Sequence, residues 1–318
     1  MPVKRIHFRA VAMVITATIP TLGLASARAG VNKIGGYEGL FVNPTNIALK
    51  YEEALDFPRM SLHDEGSAEF IGATGGFYYR EKGESREKGG SNDYDEIMCY
   101  DGHWYQGLRS HIMALSHEFK GISAGSRLEL LPFVMPFSFL LENQTNSTLC
   151  LQSLSKPEVW APFIASAGND RNEIRFKRAY FDGTLSEFTI QCDPNRDFLP
   201  VVSIEKDTGG GKAGGSVTTT TVQKSVIISW SGHHIYFPVT VRRETDDLAN
   251  HLIFLQTVKV DEKSIHIGET APPGLFRIPR SLANFGILDT DTGRWVTNDE
   301  KDAEEQERQA LENSEGRL

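Results

Sequence analysis

Ser123 lies in "GISAG" at 121–125, which matches the G-x-S-x-G pattern of a nucleophile elbow, a sharp strand-to-helix turn that aims a serine at an ester carbonyl. A strand-like run precedes it and a helix-like run follows. The preceding "SHEFKG" puts Glu118 and Lys120 just before the turn, where an α/β-hydrolase needs a buried parallel strand. A glycine-rich strand-to-helix turn is the simpler reading, and a secreted serine esterase using Ser123 stays as the lesser alternative. "TGGGKAGGS" lacks the G-x-x-x-x-G-K-[ST] spacing of a phosphate loop and has strand-like runs on both sides, so it reads as a hairpin tip. His103, His111 and His117 lack a two-ligand helical spacing, and His233-His234 reads as a turn. Cys99, Cys150 and Cys192 are too few for a disulfide scaffold; one bridge with one thiol left over, or simple burial, fits them. No pair of carboxylates stands out from ordinary surface charge. These residues supply no catalytic group, metal ligand set or cofactor site, and the chain is expected to be non-enzymatic.

Charge and composition exclude further classes. A net charge of −9 disfavours nucleic acid, whose binding rests on Lys and Arg neutralising phosphates. Residues 298–318 are acidic, lack aromatics and have too little apolar surface to fold alone, so a disordered tail is expected. The amino terminus carries Lys4, Arg5 and Arg9, then an uncharged run at 10–25, then Ala27-Arg28-Ala29. That order is a signal peptide over 1–29 with cleavage after Ala29, and it predicts a periplasmic or extracellular protein. The apolar run falls short of the ~20 residues a membrane span needs, so no mature transmembrane segment is expected.

The elements that would position a site are mostly strands. From residue 172 onward, runs rich in Val, Ile, Thr, Phe and Tyr alternate with short stops at Asp182-Gly183, "DPNRD", "DTGGGKAGG" and "SGHH". Connections this short join only antiparallel neighbours. Phe188, Ile190 and Cys192 share a face, as do Val226, Ile228 and Trp230, and Phe237, Val239 and Val241. One face is therefore apolar and must be covered. In the first half, "NIALKYEEALDF" at 46–57 has helical composition, while "SAEFIGA", "GFYYREKG" and "HIMALSHEF" read as strands. "DEIMCYDGHWYQGL" reads as a hairpin with a type I′ turn at Asp101-Gly102.

The β pattern stops between 126 and 167. There the stretch 128–141, which includes "LLPFVMPFSFLL" at 130–141, is apolar on every side of a helical wheel and contains Pro132 and Pro136. About 14 helical residues span only roughly 21 Å, too short for a bilayer core of about 30 Å. So many large side chains, at roughly 1.5–3 kcal/mol each, must lie against the apolar face of the sheet. They either complete a core or line a cavity, together with "EVWAPFIA", which brings Trp160 and Phe163.

The order of exported leader, N-terminal helix, hairpins, apolar helical insert and long meander resembles the bacterial outer-membrane lipoprotein-carrier (LolA/LolB-like) superfamily. The resemblance rests on "YDGHWYQG" at 100–107, "CDPNRDFLPVVSIEKD" at 192–207, "IYFPVTVRRE" at 235–244 and "PPGLFRIPRSLANFGILD" at 272–289. It implies an α+β, mainly antiparallel fold over 30–297: a curved, unclosed half-barrel with helices over its apolar concave face and the insert at 126–167. It also implies a non-enzymatic carrier that takes lipid or acylated protein in a hydrophobic cavity. Candidate ligand contacts are then Phe133, Met135, Phe137, Phe139, Leu140, Trp160, Phe163 and Trp230. An envelope protein-interaction or sensing module is the other reading of the same fold, with peripheral membrane contact compatible with both.

Overall fold

Alternation of apolar and polar residues builds nearly everything in this chain. A computed structural model describes residues 47–73, 76–117, 131–140, 154, 159–161, 172–179, 183–209, 215–230, 232–249, 251–268 and 275–297. Six consecutive strands form a first antiparallel meander: β1 (Ile47–Phe57), β2 (Leu62–Ala73), β3 (Gly76–Glu87), β4 (Gly90–Tyr100), β5 (Tyr105–Arg109) and β6 (Ile112–Ser116). Six more form a second: β7 (Glu173–Ala179), β8 (Thr184–Asp193), β9 (Leu199–Gly209), β10 (Ser216–Trp230), β11 (His233–Asp247) and β12 (Leu252–Val260). The two meanders join where β1 pairs antiparallel with β12, Tyr51 opposite Val260 and Leu55 opposite Gln256. The short β13 (His266–Ile267) adds to the start of β1. The chain then returns to the far edge, where β14 (Gly286–Asp289) runs parallel to β6 and β15 (Arg294–Val296) pairs with β14. Among the described residues this is one unclosed sheet of fifteen strands, with β7 and β15 at its edges.

Three expectations are corrected. The segment at 47–57 is strand, not helix: Ile47, Leu49, Tyr51 and Leu55 are buried at every second position while Lys50 and Glu52 are exposed. A period of two places these side chains on one face only in an extended chain, and that burial outweighs the helical propensity of Glu, Ala and Leu. Among the described residues the fold is likewise almost wholly β, with only short helical pieces such as those at 135–140, 154 and 159–161, so an α+β fold with helices covering the apolar face is not supported. Residues 131–134 turn, and Met135–Leu140 is a 3-10 stretch. Val134 N donates to Leu131 O at 2.9 Å and Phe137 N to Val134 O at 2.9 Å, both three residues back. Pro136 has no N–H to continue an α-helical ladder, so the segment tightens instead. The third correction concerns a turn. Tyr100 pairs with Tyr105, and Asp101 closes a four-residue loop by accepting from His103 N and Trp104 N, with a positive φ at Gly102 alone. The two-residue turn with both φ positive, as type I′ requires, is made by Ser110 and His111 between β5 and β6.

Two apolar clusters lie on opposite faces. The larger one, on what we call the inner face, draws on strands of both meanders and on residues 131–140. The smaller one lies behind β4, β5 and β6 and holds Ile97, Cys99, Leu108, Met113 and Leu115. Ile278 and Ile287 close it, and Ile278 N donates to Gln106 Oε1 at 2.9 Å.

Candidate functional site

The inner face is divided across its strands. On β11, Ile235, Phe237, Val239 and Val241 are buried, and the next inward position is Arg243. On β3, Phe77 and Tyr79 are followed by Glu81 and Gly83; on β4, Tyr100 and Met98 give way to Glu96 and Tyr94. On β9, Leu199 gives way to Ser203. One half of the face is thus apolar, and a polar row borders it from Glu96 to Ser203.

The aromatic segment sits on the apolar half. Phe133 lies between Phe70 of β2 and Phe237 of β11, with ring centroids 6.0 and 5.7 Å away. Phe137 meets Trp160 at 5.3 Å, and Trp160 Nε1 donates to Leu154 O at 2.7 Å. Phe139 meets Phe176 of β7 at 6.3 Å, and Phe176 stacks on Phe188 of β8 at 4.6 Å. Arg178 caps this stack, its guanidinium 5.4 Å from the Phe188 centroid while it donates to Phe139 O at 3.1 Å. Of the candidates from the sequence, Phe133, Met135, Phe137, Phe139, Leu140 and Trp160 come together here, and all are buried. Phe163 lies outside the described residues. Trp230 ends β10 opposite His233, and its side chain is outside them too. Val226 and Ile228 of the same strand pack on the cluster, whereas Ile227 faces outward.

The polar row was not anticipated. Glu53, Glu81 and Glu96 are buried, with 4%, 1% and 4% of their surfaces exposed. Glu81 accepts from Tyr79 Oη at 2.7 Å and from Tyr94 Oη at 2.8 Å. Tyr94 reaches it because Gly66 and Gly83, paired across β2 and β3, leave room: a Cβ on Gly83 would stand 2.6 Å from the Tyr94 hydroxyl and 2.2 Å from Glu65 O. Glu53 accepts from Gln256 Nε2 at 2.6 Å, and Glu96 pairs with Arg109 at 3.0 Å. Burial, then the neighbouring Tyr51, Glu81 and Glu53, push the Tyr79 phenol well above its ordinary value. In sequence the one signal is a carboxylate in step with aromatics: Phe77, Tyr79 and Glu81 alternate with Tyr78, Arg80 and Lys82.

Other chemistry-bearing residues are structural. Cys192 is buried in the main cluster, its thiol pushed up to about 12 by burial; Cys99 sits in the other cluster, raised for the same reason. Lying on opposite faces, they do not pair, and Cys150 is outside the described residues. Ser116, His117 and Asp291 meet, but Ser116 Oγ donates to Asp291 Oδ1 at 2.5 Å while His117 N and Nδ1 approach Oδ2 at 2.7 and 3.0 Å. A carboxylate that holds both partners is a clamp between the end of β6 and the turn from β14 to β15. Among the described residues no group of three or more His, Cys, Asp or Glu could hold a metal ion. Ser123, residues 1–29 and residues 298–318 lie outside them.

No protein-family model matches the chain. No curated protein matches it either. Solved structures that match at low similarity include the following two. One is a domain from Vibrio parahaemolyticus described as outer membrane lipoprotein-sorting, with TM-score 0.34 and 11% identity, over 79% of this chain and 97% of that one. The other is a DUF1329 family protein from Desulfovibrio piger, with TM-score 0.34 and 8% identity over the same shares. Among the described residues, no helix is long and apolar enough to cross a membrane.

Proposed function

We propose that this chain is an exported, non-enzymatic binder or carrier of hydrophobic ligands, LolA/LolB-like in plan, which takes the acyl chain of a lipid or lipoprotein on the apolar half of its inner face. The observation that carries the reading is the seating of residues 131–140. This segment contributes no strand to the sheet, yet it covers Phe70, Phe237 and Phe176 with rings. Its withdrawal offers an acyl chain the same apolar surface, and hydrophobic pockets of this kind hold ligands chiefly through such area. The ligand contacts are then Phe133, Met135, Phe137, Phe139, Leu140 and Trp160, with Phe163 and Trp230 beside them. In this proposal residues 1–29 are the export leader, 30–297 the binding domain and 298–318 an acidic appendage.

The test is a titration of the purified mature protein with oleate and with a triacylated lipopeptide, read by tryptophan fluorescence, beside native mass spectrometry of the protein as isolated. Saturable quenching that weakens in Trp160→Phe, with lipid mass co-purifying, is the expected result. Absence of both overturns the reading. A protein-interaction module on the same sheet is the second reading, favoured by one observation: Phe285 and Trp295, 71% and 57% exposed, stand beside the exposed Ile112 at the β6–β14–β15 edge.

A further inference from the structure

Each buried glutamate of the polar row has a contact inside the protein: Glu81 with Tyr79 and Tyr94, Glu96 with Arg109, and Glu53 through Oε1 with Gln256, while Glu53 Oε2 accepts no hydrogen bond. Arg243 has no such side-chain contact among the described residues. It lies on β11 directly opposite Gln256 of β12 and Thr220 of β10, both buried, and its own side chain is half-buried. Its Nε is sealed from solvent without a hydrogen-bond partner, and among the described residues Arg243 forms no ion pair. The neighbouring Gln256 has no exposed surface. Its Nε2 is committed to Glu53, and its Oε1 accepts nothing. A guanidinium cannot shed its proton, and an N–H sealed from water without an acceptor is unfavourable, although the rest of this half-buried side chain still meets solvent. A buried acceptor left unmade adds to that cost. A cation lacking an anion and an acceptor lacking a donor therefore stand side by side, two residues along their strands from the buried Val241 and Val258 of the apolar half.

We infer that Arg243 and Gln256 form a head-group subsite for an anionic amphiphile. The oxyanion, carboxylate or phosphate, takes the planar fork of Arg243, which matches both in two-point geometry. Gln256 Oε1 accepts from a hydroxyl or amine on the same head group. The acyl chain runs over Val241 and Val258 into the apolar half. Arg243 thus fixes which end of the ligand faces the polar row. This inference rests on the binding function proposed above and adds the chemical class of the head group.

The test titrates the mature protein with three single-chain amphiphiles: oleate, lysophosphatidylglycerol and uncharged monoolein. Arg243→Met keeps side-chain bulk and removes the charge; Arg243→Lys keeps the charge and loses the fork. Arg243→Met should weaken the two anionic ligands about tenfold or more, the effect of losing one charge-assisted contact, and leave monoolein within about twofold. Arg243→Lys should fall between. The urea midpoint of Arg243→Met should equal or exceed that of the wild type, since no internal partner is lost. Equal weakening of all three ligands, or a lowered midpoint, makes Arg243 structural and overturns the inference. So does competition by inorganic phosphate alone at the affinity of the lysophospholipid, which marks a free-anion site. Monoolein bound without any anionic preference removes the inference and leaves the carrier reading standing. Failure of the wild type to bind any of the three removes both.

Discussion

The two meanders meet at β1 and β12 and share one inner face, yet they end their apolar halves differently. The first answers most of its polar row with its own side chains: Tyr79 and Tyr94 serve Glu81, and Arg109 serves Glu96, while Gln256 reaches across the junction to Glu53 Oε1 and Oε2 accepts no hydrogen bond. The second places hydroxyls at Thr220 and Ser203 and leaves Arg243 Nε without a hydrogen-bond partner and Arg243 without an ion pair among the described residues. Buried charge is tolerated where geometry answers it, and breaking such a set from one side is strongly unfavourable. The first meander's row is accordingly scaffold, and the second meander's row is where a ligand has something to offer. The aromatic segment follows the same division: it reaches Phe70 of the first meander, but its other sheet rings, Phe237 and Phe176, belong to the second.

The largest effect expected is on that segment. Phe137 is 1% exposed and in ring contact with Trp160, so Phe137→Ala should lower stability by about 3–5 kcal/mol, as buried aromatic truncations do. Chemical denaturation checks this. A loss below about 1 kcal/mol with ligand affinity reduced means the segment is a detachable cover whose rings serve the ligand and not the fold.

Next come two changes that sharpen the claim that the first meander's row is scaffold. Glu81→Ala strands two tyrosine hydroxyls, of which Tyr79 is fully buried, and should lower stability by about 1–3 kcal/mol. Gly83→Ala should fall in the same range of about 1–3 kcal/mol, because its Cβ meets backbone at Glu65 O and cannot be accommodated by a rotamer change. Neither should alter amphiphile affinity measured below the unfolding transition. Arg243→Met, the corresponding change in the second meander, should do the reverse. If Glu81→Ala leaves the denaturation midpoint unmoved, the two rows do not differ in the way described.

The second meander was far more legible in sequence than the first, and the reason is physical. Its strands alternate Val, Ile, Phe and Thr between Gly- and Asp-marked stops, so 172–260 reads as consecutive antiparallel strands, as found. The strand β1 hides behind Glu52, Glu53, Ala54 and Leu55, whose composition is helical while their burial alternates. Gly102 suggested a type I′ turn, but Asp101 prefers to accept from its own loop N–H groups, and the positive φ values fall on Ser110 and His111. The segment at 131–140 announced its burial by composition, while its 3-10 form depended on where the two prolines interrupt hydrogen bonding. The polar row was invisible. Glu53, Glu81, Glu96 and Arg243 lie in four strands, and only register sets them on one face beside apolar neighbours.

The smallest effect tests the turn that joins β1 to β2, at the polar end of the first meander. His63 Nδ1 lies 2.5 Å from Asp56 and its Nε2 lies 3.1 Å from Glu65, and both contacts raise its pKa above the ordinary 6.5. A pKa higher in the folded than in the unfolded state means that the protonated imidazole stabilises the fold. That contribution is fully present below the unfolded value near 6.5 and disappears as pH rises through the higher folded value. Both carboxylates are half-exposed, so the effect should not exceed about 1 kcal/mol. The wild type should therefore exceed His63→Gln in urea midpoint at pH 5.5, with the gap closing as pH climbs past the folded pKa. A gap independent of pH means that His63 acts here as a neutral hydrogen-bonding ring. A gap that grows with pH means the carboxylates are not its partners. In either case the ionic contacts of this turn would not hold the outer face of the first meander, while the inner row, on the face of Glu53 and Leu55, would still be judged by Glu81→Ala.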